Sequence, residues 1–293
     1  MQRTASFAYR AERIFVLAAT LLIGLGLTLL LSRPGEGEHV EDGTGLFWIM
    51  TIALAAVAGL GAAWLRRAEA RTHATTAVTD LRVSRVVVPS EIVLPVMLVA
   101  GFALILQLFE SGIVQAIVLS IAAVALASVF WAQTHTVDTA DKYFGLSQSI
   151  LNVLSHLAAF LLFSITYGLK ERALISASAV GVITTLLVLE MLLRDVAWRQ
   201  AVQKRAIVAP RNLLLAAVTS GIVLAELTWG LNYWAALTTL VGGAFLLVAF
   251  YVVYGLFSHY VEGKLDRQTF LEFGTVGAVA MLVIFGSAFI SNG

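Results

Sequence analysis

From Ile14 onward, long apolar runs alternate with short polar breaks along the whole chain. A helix crossing about 30 Å of hydrocarbon needs roughly 20 mainly apolar residues. Nine segments meet that length: 12–32, 45–65, 90–109, 111–133, 145–168, 171–194, 211–231, 234–258 and 269–290. The breaks "FES" (109–111) and "GLNYW" (230–234) are tight, so each pair of spans they join is expected to form an antiparallel hairpin. Without those breaks the runs would exceed 40 residues, too long for one crossing even when tilted. The pattern predicts an all-α polytopic membrane protein of about nine spans.

The first run, "IFVLAATLLIGLGLTLLL", has 18 residues and is followed by "SRPGEGE" with no A-x-A pattern. A cleavable signal core usually holds about 7–15. We read it as a retained first span.

Composition agrees with the pattern. Hydrophobic residues make up 59% of 293 positions, charged residues 13%, and mean hydropathy is +0.90. Soluble domains sit near about 45–50% apolar and about 25% charged, and one this apolar would expose aggregation-prone patches. A lipid environment follows. The net charge of +1 says little; the distribution of charge says more. With the N-terminus cytoplasmic and nine crossings, 16 of the 19 Lys and Arg fall inside. Only Arg33, Lys170 and Arg172 fall outside. This is the positive-inside asymmetry, and it depends on every crossing. Trp48, Trp64, Trp131, Trp229 and Trp234 land near predicted interfaces, where indoles prefer to sit. The expected location is the plasma membrane, as the inner membrane of a prokaryotic cell. The N-terminal pair (12–65) stands apart from the rest.

The loops are short, so no soluble catalytic domain is attached. Two basic connectors, 66–89 and 194–208, either carry orientation charges or lie as helices on anionic headgroups. The outer loop 33–45 is acidic, glycine-bearing and expected to be solvated.

A weak internal repeat is visible. "RVVVPSEIVL" (85–94) resembles "RAIVAPRNLLL" (205–215), and "HTVDTADKYFG" (135–145) resembles "HYVEGKLDRQTFLEFG" (259–274). Repeat units at 85–168 and 205–290 would flank a linking helix at 171–194, all within one membrane domain. Four spans separate equivalent helices, so the two units would cross in the same direction, as parallel repeats do in several transporters. Pro89 and Pro210 are expected at helix starts, where a missing N–H costs nothing.

Polar residues at membrane depth are functional candidates by default. Gln148, Asn152 and His156 recur at i, i+4 and i+8, along one face of the fifth span, with His156 about halfway across. That stripe either packs helices or lines a path for a solute or proton. Glu226 lies about five residues below the outer end of the seventh span, where it either faces an outward-open cavity, pairs with Lys170 or Arg172, or stays protonated through burial. Trp229, Asn232, Tyr233 and Trp234 read as an interfacial hairpin turn. Glu190 and Arg194, four apart, are expected to form an intrahelical ion pair. His135 with Asp138 and Asp141, and His259 with Glu262 and Asp266, are helix-end charges, metal-capable groups or a proton mouth that Tyr251 and Tyr254 extend inward.

The chain has no cysteine, which excludes disulfides, Cys-ligated metal and a Cys nucleophile. It carries no P-loop, zincin, nucleophile-elbow or dinucleotide motif, and no lysine in mid-span for a retinal Schiff base. Nucleic-acid binding has no support. No catalytic residue, cofactor or metal is assigned. The expected partner is the bilayer, with a small solute or ion, and a second copy or a partner subunit, as further candidates. The leading reading is a permease-like or channel-like protein with His156, Asn152, Gln148 and Glu226 at its binding site. A non-enzymatic scaffold or accessory subunit comes second, and a metal-dependent lipid-modifying enzyme third.

Overall fold

In hydrocarbon a backbone N–H or C=O finds no water, so an apolar run of span length must satisfy its own hydrogen bonds as a helix. The computed structural model describes residues 2–31, 40–73, 81–137, 141–169, 173–203, 209–233 and 238–291. Among these residues every predicted span is a helix: α1 (Gln2–Leu31), α2 (Val40–His73), α3 (Leu81–Leu106), α4 (Gly112–His135), α5 (Phe144–Gly168), α6 (Ala173–Gln203), α7 (Pro210–Asn232), α8 (Thr239–Val261) and α9 (Arg267–Ser291). Eight of them are long and apolar enough to cross a membrane. In α3 the apolar stretch among the described residues is Glu91–Leu106. The predicted run to 109 is cut because the chain closes into i→i+3 turns, Gln107 N to Leu104 O (3.1 Å) and Leu108 N to Ile105 O (3.1 Å).

Local chemistry sets several helix ends. The turn before α4 is tied by the Gln115 side-chain amide, which donates to the Phe109 carbonyl at 2.6 Å. Pro210 opens α7 after an extended Ala209, as its fixed φ and absent N–H favour. Pro89, expected at a helix start, instead lies inside α3. At the far end of α8, Gly263 adopts φ 67°, and Lys264 N bonds back to His259 O at 3.0 Å. A left-handed glycine ends a helix in this way without Cβ strain.

The chain divides into two units, Met1–Leu154 and Ser155–Gly293. In the first, α2 packs on α1 and α3, and α4 packs on α1 and α3. Its core holds Leu21, Leu25, Ala58, Leu94, Leu98, Phe102, Leu126 and Phe130. Polar contacts gather at one end of this unit. The Arg13 guanidinium lies 4.8 Å over the Trp64 ring, Arg66 pairs with Glu91, and the Gln133 amide donates to the Glu91 carbonyl at 2.9 Å. The starts of α1 and α3 thus meet the ends of α2 and α4, which is an up–down arrangement.

In the second unit α6 packs on α7, α7 on α8, and α8 on α9. Phe163, Tyr167, Leu187, Met191, Leu224 and Phe250 are buried there. Close backbone approach accompanies this packing. A Cβ on Gly221 would strike the Gly181 carbonyl, and one on Gly243 would strike the Ser164 backbone. At one end of the unit the Asn232 amide donates to Ser176 Oγ at 2.9 Å, and Tyr167 OH donates to the Leu231 carbonyl at 3.4 Å. These join the end of α7 to the start of α6 and the end of α5, so this unit also alternates in direction.

Ile23, Ile52, Ile113, Val124, Val182 and Leu282 are exposed, while Glu91, Glu190 and Arg194 are buried. Apolar side chains outside and paired charges inside suit lipid rather than water as the surrounding medium. This is an all-helical, polytopic membrane protein. The basic connectors do not form separate surface helices among the described residues: α2 continues through Arg66 and Arg67 to His73, and α6 through Arg199 to Gln203.

Candidate functional site

The last turns of α6 carry two i, i+4 pairs, Glu190 with Arg194 and Asp195 with Arg199, and the five-residue step from Glu190 to Asp195 sets the two pairs on different faces of the helix. Ionisable groups at this depth must find partners, and here they do. Arg194 Nη1 pairs with Glu190 Oε1 at 2.6 Å. Ser155 Oγ on α5 sits between them, 3.4 Å from Glu190 Oε2 and 3.4 Å from Arg194 Nη2. Asp195 turns toward α8 instead. Its Oδ2 accepts from Tyr254 OH at 2.6 Å and from Ser258 Oγ at 3.5 Å. Arg199 Nη2 lies 3.9 Å from the same oxygen, donates to Ser258 Oγ at 3.3 Å, and forms an ion pair with Glu262. Lys264 Nζ closes the series 3.0 Å from Glu262, with its side chain 54% exposed.

The network therefore runs from the exposed Lys264 just after α8 to the buried Glu190–Arg194 pair. Beyond its inner end lies His156 of α5, packed against three rings of α8. The centroids of Phe250, Tyr251 and Tyr254 are 5.5, 6.0 and 6.2 Å from the imidazole. Tyr254 thus touches both the Asp195 carboxylate and the His156 ring. Outside the spans, the Thr269 N–H donates to Asp266 Oδ1 at 2.7 Å, and that backbone hydrogen bond holds the Asp266 carboxyl below its usual range.

A family described as "Protein of unknown function (DUF5656)" matches residues 32–286, which take in α2 through α8 and most of α9. The chain belongs to that family. No curated protein and no solved structure matches. Every residue of the network falls within the family's match.

Of the residues singled out from sequence, Glu190 and Arg194 form the expected pair, and Tyr254 and Glu262 join the network. Gln148, Asn152 and His156 are all half-buried on α5. Gln148 and Asn152 belong to the first unit and His156 to the second. The more deeply buried side of α5 is the neighbouring one, marked by Ser147, Leu151 and Ser155. Glu226 is exposed on α7, and its suggested partners Lys170 and Arg172 lie outside the described residues. Trp229 Nε1 donates to Tyr233 OH at 3.1 Å on the exposed surface near the end of α7, as an interfacial turn would; Trp234 lies outside the described residues.

The metal-capable clusters resolve differently. His135 Nδ1 meets Asp141 Oδ2 at 2.7 Å between the rings of Trp131 and Tyr143. His259 Nδ1 instead bonds the Gly255 carbonyl at 2.9 Å. Among the described residues no three His, Asp or Glu side chains are placed to share a metal ion; Asp138 lies outside them.

Asp195, Arg199 and Ser258 were missed in the sequence. Asp195 and Arg199 read as ordinary charges of a basic connector. The available signal was their own i, i+4 spacing, acid before cation as in Glu190 and Arg194.

Proposed function

We propose that this protein is a permease-like or channel-like membrane protein for a small solute or ion, with its site in the second unit around Asp195, Tyr254 and His156. The observation that carries the reading is the Asp195–Tyr254 contact. It joins an ionisable chain open to water at Lys264 to a histidine ringed by aromatics inside the unit. Intramembrane ionisable residues that face a bundle interior mark ion and substrate pathways. In this reading Lys264 stands at the cytoplasmic mouth of the second unit. The α5 stripe of Gln148, Asn152 and His156 contributes its histidine to the site, and Glu226 is an acid of the opposite membrane face.

Purified protein in liposomes tests this. Flux of monovalent cations, halides, protons and small neutral solutes is measured against protein-free vesicles. At least one flux should exceed the background and should fall in His156→Ala. Passage of nothing above background removes the reading.

A second reading, an accessory subunit of a membrane complex, is favoured by α9. Its Phe270, Leu271, Val276, Val279, Leu282 and Val283 are all exposed. A partner purified stoichiometrically with the chain from native membranes, together with no flux, would select it.

A further inference from the structure

We infer that the species handled at this site is the proton, and that Asp195 is the group that takes it up; this rests on the permease-like or channel-like reading above. The first argument is charge balance. Glu190, Asp195 and Glu262 stand against Arg194, Arg199 and Lys264, so the network is neutral as it stands. Among the described residues of the network, a charged solute would find no unopposed charge to bind, and would have to break an existing pair in a low-dielectric setting. A proton needs only an acceptor.

The second argument distinguishes the three acids. Glu190 is held at 2.6 Å by Arg194. Glu262 pairs with both Arg199 and Lys264. Asp195 is the acid whose short contact is a hydroxyl, Tyr254 OH at 2.6 Å, while its cation stands at 3.9 Å. It can lose its charge without dissolving a tight ion pair, and Arg199 keeps Glu262 when it does.

The third argument is continuity. Ser258 Oγ touches both Asp195 Oδ2 and Arg199 Nη2, and Glu262 lies one turn further along α8, at the water-facing end. Asp195 is thus linked to the Glu262 and Lys264 end through Ser258 and Arg199. In the step itself, Asp195 Oδ2 gains the proton and becomes a neutral carboxylic acid, and water at the mouth loses it. Tyr254 OH then accepts a hydrogen bond from the new acid O–H rather than donating one. That reversal leaves the tyrosine's own proton to find another acceptor.

The test uses full-length protein in liposomes loaded with a pH-reporting dye, with a potassium diffusion potential as driving force. Wild type should acidify the lumen faster than protein-free vesicles. In Asp195→Asn the rate should fall about a hundredfold, the lower end of what a positioned proton-transfer group contributes. Asp195→Glu should recover part of it, which a purely structural role would not predict. Tyr254→Phe, which keeps the ring, should reduce the rate by a smaller factor and serves if the Asp195 variants do not fold. Proton flux unchanged in Asp195→Asn, or in Tyr254→Phe where that variant stands in, overturns the inference. Flux of another ion or solute without proton flux also overturns it while leaving the broader reading intact. No flux of any kind removes both.

Discussion

The Asp195–Tyr254 hydrogen bond crosses between α6 and α8, whereas the Glu190–Arg194 pair lies within α6. That difference decides which one stabilises the tertiary fold. When helices of a membrane protein separate in lipid or detergent they remain helical, so a pair four residues apart on one helix survives the separation. A contact between two helices is lost. A hydrogen bond to a charged group contributes about 1.5–3 kcal/mol in soluble proteins. Double-mutant cycles between membrane helices average about 0.6 kcal/mol and reach about 1.7, because freed groups find other partners. Asp195 has one such partner on its own helix, Arg199, but at 3.9 Å. Since the Tyr254 contact is short and charged, we place its coupling near the top of the membrane range, at about 1–2 kcal/mol. The cycle consists of Tyr254→Phe, Asp195→Asn and the double variant, unfolded reversibly by SDS in mixed micelles and followed by tryptophan fluorescence. Trp198, half-buried on α6, lies within reach of the change. At roughly 2–4 °C per kcal/mol for chains of this order, the coupling corresponds to about 2–8 °C in Tm. A parallel cycle on Glu190→Gln and Arg194→Met should give a smaller coupling. A coupling for Asp195–Tyr254 below about 0.5 kcal/mol, or one exceeded by the Glu190–Arg194 cycle, would refute this account of what holds α6 to α8.

Three further outcomes are expected. Gly243→Ala should destabilise the second unit by about 1–3 kcal/mol, as overpacking does, because its Cβ would lie 2.6 Å from the Ser164 backbone; Gly274→Ala, with open space around it, should leave Tm unchanged or slightly raised. Equal effects at the two glycines would contradict the packing described. Single cysteines at Lys264 and Tyr233, placed in a chain that has none of its own, should react with an impermeant maleimide from opposite sides of the membrane; labelling of both from the same side would break the alternation within the second unit. Asp266→Ala should lower Tm at neutral pH, since a carboxyl held below its ordinary value of 3.8 stabilises the fold above that value and ceases to as pH falls through its folded pKa. The gap between Asp266→Ala and wild type should therefore narrow below about pH 3.8; a gap that stays constant into acid would mean the Thr269 N–H does not depend on the charge.

The spans were legible because the bilayer imposes a length and a polarity on each segment separately. Residues 145–168 announce a helix whatever surrounds them, and α5 occupies Phe144–Gly168. The Glu190–Arg194 pair was legible for the same reason, since both partners sit on one helix. The end of α3 was not, because Leu108 and Phe109 are as apolar as the helix before them, and it is turn bonding, with the Gln115 amide on Phe109, that ends the run. Pro89 was misplaced because a proline marks a helix start only when nothing helical precedes it.

The sequence by itself determined the helices, their alternation and the amounts of charge at each end, all of which follow from local hydrophobicity and the positive-inside asymmetry. Only the tertiary structure decided which polar groups meet. Asp195 lies 59 residues from Tyr254 and 63 from Ser258 along the chain, and no periodicity within α6 encodes the register of α8 beside it. That register is set by packing, including glycines at 242 and 243 that let α8 close on α5 around Ser164 and Tyr167. A helix reveals its own faces in its sequence, but the identity of the side chain opposite each face belongs to the assembled bundle.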